Sequence, residues 1–185
     1  MFSYPLLFFG LLVLFVLYVW GMYNRLIVFK NRIDEAWSGI KVQLTRRADL
    51  IPNLINTVKG YAKHESSVFE NVTKARSQLM SAGSVSEVQK AQDSMTTALK
   101  SLFAIAEAYP QLRASENFQQ LQKELSDTED KIAYSRQFYN SNVLSYNSQL
   151  QQFPTSVLAG MFHFSSKDYF QTDEKKEKPV AVSFE

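Results

Sequence analysis

Residues 116–153, ENFQQLQKELSDTEDKIAYSRQFYNSNVLSYNSQLQQF, predict one long amphipathic helix with Ser115 as its N-cap. A hydrophobic residue recurs there at every seventh position: Phe118, Leu125, Ile132, Tyr139, Tyr146 and Phe153. A seven-residue hydrophobic repeat is typical of helices that pack lengthwise against one another. The pattern therefore favours a helical bundle.

A second seam with the same spacing is polar after its first member. Its positions are Leu121, Thr128, Ser135, Asn142 and Gln149. A fully buried bundle helix normally keeps both seams apolar. Two explanations are open: the buried face rotates toward Val143, Leu144 and Leu150, or the polar seam meets another subunit.

The N-terminal segment predicts a membrane anchor. No charged side chain precedes Arg25, and the run Leu6–Met22 is almost wholly apolar. With its flanking residues this run offers a helix of about 30 Å, the thickness of a bilayer core. Tyr18, Trp20 and Tyr23 cluster at its C-terminal end, as in an aromatic belt. A basic leader and a small-residue cleavage site are missing from the sequence, so a retained anchor is favoured over a signal peptide.

Charge asymmetry predicts the orientation of this anchor. Only the α-amino group precedes the anchor. The residues that follow it include Arg25, Lys30, Arg32, Lys41, Arg46 and Arg47, opposed by Asp34 and Glu35. The positive-inside rule then places the N-terminus outside and the main domain in the cytoplasm, with a periplasmic domain as the alternative.

The middle of the chain predicts three further helical segments. The first helix continues out of the membrane with Ile33, Trp37, Ile40 and Leu44 on one face. We expect a break at Asp49–Pro52, because proline is poorly tolerated inside a helix, although a kinked continuous helix is the alternative. A second helix would then run from Ile51 to Leu79, with Gly60 in its interior.

A third helix is capped by Ser84 or Ser86 and ended by Pro110. Short loops between long helices favour antiparallel neighbours. The predicted fold is all-α: an N-terminal transmembrane helix followed by an antiparallel four-helix bundle of long helices. The fourth helix then brings the chain back toward the bilayer.

This arrangement predicts four parts of the chain: an anchor (1–24), a helical bundle (25–153), an aromatic segment (154–170) and a charged, solvated tail (171–185). The aromatic segment contacts either the membrane interface or a neighbouring subunit. The residues predicted to make oligomer or membrane contacts are Asn142, Gln149, Phe153, Phe162, Phe164, Tyr169 and Phe170.

Composition and motifs argue against catalysis. The chain has no cysteine, which excludes disulfides and thiolate metal sites, and a net charge of +2 does not suggest nucleic-acid binding. The two histidines, His64 and His163, lack the Glu-x-x-His spacing of a diiron bundle. Phosphate loops and serine-hydrolase motifs are also missing from the sequence. We therefore predict no catalytic, cofactor-binding or metal-binding residues.

Several strings of residues resemble the LemA family. They are NRIDEAW (31–37), VQLTRRADLIPNL (42–54), TVKGYAKHE (57–65), AEAYP (106–110), SENF (115–118), RQFYN (136–140) and the Phe153–Pro154 step. The resemblance runs from the anchor to about Phe170 and leaves out the charged tail. It implies a bacterial membrane protein with one N-terminal anchor and a four-helix cytoplasmic domain. One relative of the family occurs in magnetosome membranes, and the family supplies no established reaction.

These observations lead to a main functional hypothesis and two alternatives. The main one is a non-enzymatic scaffold that self-associates laterally on the bacterial inner membrane, with its own copies and membrane lipids as partners. The first alternative is a membrane-tethered adaptor that docks a protease or signalling partner, an unknown membrane or cytoplasmic protein. The second, weaker alternative is an unrecognised enzyme that uses His64 and helix carboxylates. Nucleic acid is not an expected partner.

Overall fold

The computed structural model describes residues 3–171, and this part of the chain contains helices and no strand. The helices are α1 (Ser3–Lys59), α2 (Ser66–Ser81), α3 (Val85–Glu107), α4 (Pro110–Arg113), α5 (Glu116–Gln151) and α6 (Thr155–Met161). Residues 164–171 follow α6 without regular structure, and we call them the C-terminal strap. The all-α class is confirmed. The predicted solvated tail lies almost wholly outside the described residues.

The N-terminal helix is continuous through Pro52, so the break expected at Asp49–Pro52 is wrong. Proline at this position removes the N–H that would bond to the carbonyl of Ala48, four residues earlier. In the structure the Arg76 side chain, on α2, donates from Nε to that carbonyl oxygen at 2.8 Å. The helix continues because a residue 24 positions later in sequence replaces the missing donor.

The chain turns instead at residues 60–65, between α1 and α2. Gly60 therefore follows the end of α1. The prediction that it lies inside a helix is wrong. Tyr61 is 45% exposed in this turn. The next connection matches its prediction: Ser84 caps α3, and its hydroxyl and the Glu87 carboxylate form a reciprocal capping box.

The most extensive packing in the molecule joins α1 to α5. Residues later in α1 contact residues earlier in α5: Trp37 lies beside Tyr139, and Arg47 pairs with Glu129. The aligned hydrophobic faces of these helices, together with α2 and α3, form one continuous core. Neither Arg46 nor Arg47 ends a helix, and Arg47 is buried.

The seven-residue repeat of α5 is buried as far as Tyr146. Phe153, its last member, is 85% exposed because the helix ends at Gln151 before reaching it. In the second half of α5, the buried face of the helix turns away from the companion seam, and Val143 and Asn147 are buried on it. Leu144, proposed for this role, is exposed instead. Because of this rotation, most of the polar seam lies at the edge of the protein core.

The C-terminal strap packs against the part of α5 that lies beyond the start of α3. Gln171 at the end of the strap accepts from Arg136 on α5 through its carbonyl and donates from its N–H to Gln89 near the start of α3. Toward the anchor, the strap contacts α5 at Asn147 and α1 at Tyr23. The strap therefore extends from the first turns of α3 and packs beside α1 and α5 in the direction of the anchor.

Candidate functional site

Among the described residues, no three His, Asp or Glu side chains come close enough to hold a metal ion. His64 is exposed in the turn before α2. His163 is exposed after α6, with a backbone φ of 56°, in the left-handed region, where the chain turns into the strap. The geometry thus gives neither histidine a catalytic partner within residues 3–171.

Arg47 is a buried cation at the junction of α1 and α5. Burial lowers the pKa of its guanidinium, and the negative charge of Glu129 partly offsets this change. Its Nε atom has no hydrogen-bond partner among the described residues, and Glu129 is about half exposed. Arg47 and its half-exposed partner Glu129 therefore join α1 to α5, which is a structural role.

Two asparagines hold the strap against α5 by the same pair of bonds. The Asn147 amide donates to the Lys167 carbonyl and accepts from the Lys167 N–H, both at 2.9 Å. Asn140 does the same with Phe170, again at 2.9 Å for both bonds. Seven helical residues advance about 10.5 Å and three extended residues about 10 Å, so the two spacings match. We call these residues, Asn140 and Asn147, the asparagine clasp.

The clasp positions Phe170 in the protein core. Its ring is 2% exposed and lies 6.0 Å from Trp37 and 5.3 Å from Tyr139, centroid to centroid. The Arg136 guanidinium lies 5.0 Å from the Phe170 ring centroid. Phe170 is therefore occupied by contacts inside its own chain, and we leave it out of the surface that the sequence predicted for lipid or a subunit.

Four large apolar side chains stay exposed around α6, and we call them the foot: Phe153 (85% exposed), Val157 (55%), Met161 (67%) and Phe162 (48%). The opposite side of α6 is buried through Leu158 and Ala159. This short helix is therefore apolar on two sides, one packed on the protein and another that no described residue covers.

The foot lies at the end of the apolar part of α1. Phe153 lines a small groove together with Tyr18, Met22 and Arg25 of α1. The Phe162 ring lies 4.9 Å from the Tyr23 ring, centroid to centroid. The chain thus returns to the end of the anchor, as the sequence predicted. The anchor itself belongs to a helix long and apolar enough to cross a membrane, and no residue of its apolar stretch is buried.

A third feature is a ridge on α5, formed by Tyr134, Phe138, Asn142, Ser145 and Gln149, on which Asn142 and Gln149 are half-buried and the other three side chains are exposed. Tyr134 is 72% exposed and Phe138 is 51% exposed, and because they are four residues apart on one helix they form a contiguous aromatic patch. Asn142 donates to the Phe138 carbonyl at 2.9 Å, and Gln149 donates to the Gln152 side chain at 2.9 Å. Both polar side chains bond within their own helical neighbourhood.

The structure distributes the seven predicted contact residues over these features. Asn142 and Gln149 lie on the ridge, Phe153 and Phe162 belong to the foot, and Phe164 packs on Tyr23 at 5.7 Å between ring centroids. Tyr169 is 42% exposed on the strap. Val157 and Met161 lie in the predicted aromatic segment but were not among the predicted contact residues, and sequence reasoning missed Tyr134, Phe138 and the clasp. The signal for the foot was present, since residues 137–166 contain no Asp, Glu, Lys or Arg.

Comparison with known proteins supports the family resemblance. The model of the LemA family matches residues 36–184, so the match begins after the anchor and extends to all but the last residue of the tail that the predicted resemblance left out. Protein LemA of Metamycoplasma hominis is 30% identical over 167 residues, covering 88% of this chain and 75% of the relative.

Magnetosome proteins are also similar to this chain. Magnetosome protein MamQ of Magnetospirillum gryphiswaldense is 24% identical over 195 residues, covering 91% of this chain and 72% of the relative. Magnetosome protein MamQ 2 of Paramagnetospirillum magneticum is 23% identical over 184 residues, covering 85% and 68%. The family match spans well over half of the sequence, and on this evidence the chain is a member of the LemA family.

Proposed function

We propose that this protein is a non-enzymatic scaffold that self-associates laterally on the bacterial inner membrane. In this proposal the helices form an antiparallel four-helix bundle anchored by the first part of α1. The N-terminus lies outside, and the main domain lies in the cytoplasm. The long apolar stretch of α1 supports the membrane location, and the similarity to magnetosome proteins is consistent with it.

The observation that carries self-association is the ridge on α5. Two aromatic side chains, Tyr134 and Phe138, are exposed there, although the rest of the helix buries its aromatic residues. Exposed apolar groups of this size favour contact with another protein surface. Anchoring in a membrane holds every copy in one plane and in similar orientations, which raises the local concentration of matching ridges.

The test is the mass of the full-length protein in mild detergent, measured by native mass spectrometry or light scattering. We expect a discrete multimer. Phe138→Arg, or Asn142→Arg combined with Gln149→Glu, should reduce the mass to that of a monomer without loss of helicity. An arginine at position 138 would face the same charge or an apolar surface on the next copy, and the double variant would require two charged side chains to lose their hydration at the contact.

A matched control is Met80→Arg on α2, because Met80 is 49% exposed and Phe138 is 51% exposed. We expect this control to stay multimeric. If the unmodified protein is a monomer, self-association is wrong, and the ridge becomes the surface on which the alternative, an adaptor for a protease or signalling partner, would dock its partner.

Orientation is tested separately, with the same exposed position. Because the chain has no cysteine, Met80→Cys introduces a unique thiol on the main domain. A membrane-impermeant maleimide should label it only after the inner membrane is opened. Labelling in spheroplasts with an intact inner membrane would place the domain in the periplasm.

A further inference from the structure

We propose that the foot inserts into the lipid interface of the leaflet from which the anchor emerges, so that each copy contacts the bilayer at two places. The occupant of this surface is lipid, at the boundary between headgroups and acyl chains. The proposal rests only on the membrane attachment in the proposed function and is independent of self-association.

The first argument is the level of the foot along α1. Phe153 lies beside Tyr18, Met22 and Arg25, and Phe162 lies beside Tyr23. Residues 18–25 span about 10 Å along a helix. They include the end of the apolar run and the first charged residue. Any bilayer that accommodates the anchor must therefore have its surface close to the foot.

The second argument is the shape of the apolar surface. On α6 the inner side is buried by Leu158 and Ala159, while Val157 and Met161 point away from the protein. A helix that lies in a membrane interface places its apolar side about 5–10 Å into the headgroup and acyl boundary, and here the protein itself covers the other side of the helix. The exposed anchor continues this surface directly.

The third argument is charge. Residues 137–166 carry no Asp, Glu, Lys or Arg, whereas residues 116–136, the first part of α5, carry eight. Inserting the foot therefore requires no charged side chain to lose its hydration. Arg25, Lys30 and Arg32 are all exposed on the adjoining part of α1, where they can reach lipid phosphates.

The test uses the full-length, naturally cysteine-free chain with one cysteine added, either Val157→Cys or Met161→Cys. Each is labelled with an environment-sensitive fluorophore and placed as a single copy in a nanodisc of phosphatidylcholine and phosphatidylglycerol. Lipids with a nitroxide either high or low on the acyl chain are then included as quenchers. We expect both labels to lose most of their emission, and the shallow nitroxide to quench more than the deep one.

The control is Tyr134→Cys, because Tyr134 is 72% exposed and Met161 is 67% exposed. Tyr134 lies 17 helical residues before the end of α5, which corresponds to about 25 Å. We expect its label to be unquenched. Equal quenching of the labels at 134 and 161 would overturn the proposal. Emission at 161 that shifts to the blue only in discs with several copies, without quenching, would assign the foot to a second subunit.

A second variant tests the cause of the quenching. Met161→Glu should reduce quenching of a label at Val157→Cys, because a carboxylate resists transfer into the interface. Tyr134→Glu should leave that quenching unchanged. Single-copy discs separate this result from self-association, which the mass measurement tests. If Met161→Glu has no effect, the foot is not held by lipid.

Discussion

The two ends of the α1–α5 pair are held together by different chemistry. Far from the anchor, Arg47 pairs with Glu129, and Arg76 bonds to the Ala48 carbonyl. Nearer the anchor, α5 has no charged residue after Arg136, and the contacts are aromatic rings and asparagine amides. The same helix therefore changes from charged to neutral contacts along its length, as expected if one end faces water and the other faces a membrane surface.

The largest expected effect is at the neutral end. Phe170→Ala should lower the free energy of unfolding by about 3–5 kcal/mol, because it empties a buried aromatic site against Trp37 and Tyr139. Denaturant unfolding followed by circular dichroism in mild detergent measures this. Tyr169→Ala is the matched control on the same strap, with an expected change within about 0.5 kcal/mol. Equal losses for both variants would show that the strap does not pack as described.

Asn147→Ala should cost about 1–3 kcal/mol, because it leaves both the N–H and the C=O of Lys167 without their partner. Hydrogen exchange at the Lys167 amide should accelerate strongly. Asn142→Ala on the same helix removes an amide that bonds only to its own helix, so it should leave that exchange rate unchanged. These neutral contacts should also be insensitive to salt.

At the charged end, Arg76→Ala should cost about 1–3 kcal/mol, because the Ala48 carbonyl loses its donor. The loss should be smaller in a Pro52→Ala background, where the helix regains its own N–H for that carbonyl. A double-mutant cycle from denaturant unfolding measures this coupling. An identical loss of stability in both backgrounds would mean that Arg76 stabilises the protein through Asp49, 3.9 Å away, and that its bond to the Ala48 carbonyl contributes little.

The smallest effect concerns the cap of α3. Hydrogen bonds from the Gly83 and Ser84 N–H groups lower the pKa of Glu87 below its ordinary value of 4.5. A lowered folded pKa adds stability above the unfolded pKa, and this contribution is lost as pH falls through the folded pKa. NMR titration of Glu87 should show the lowered pKa, and Glu87→Gln should remove this part of the acid sensitivity. An ordinary pKa for Glu87 would contradict the capping box.

Sequence patterns were most informative where the cause of the structure is local. The anchor follows from uninterrupted hydrophobicity, the start of α3 from Ser84 and Glu87, and the buried face of α5 from its seven-residue repeat. The foot was partly predictable, since Phe153 and Phe162 were candidates, but its outer side was not, because Val157 and Met161 differ from Leu158 only by their position around a short helix.

What the sequence by itself determined is the helical class, an N-terminal stretch apolar enough to cross a membrane, and the family, because hydrophobic spacing and extended matching strings need no knowledge of distant contacts. Only the tertiary structure decided that α1 continues through Pro52, since the replacement donor comes from Arg76 on another helix. Tertiary structure also decided that Phe170 lies in the core while Phe153 lies outside it. Both outcomes have the same physical reason. The hydrogen bond of a backbone group and the burial of an aromatic ring depend on residues that are distant in sequence and become neighbours only when the chain folds.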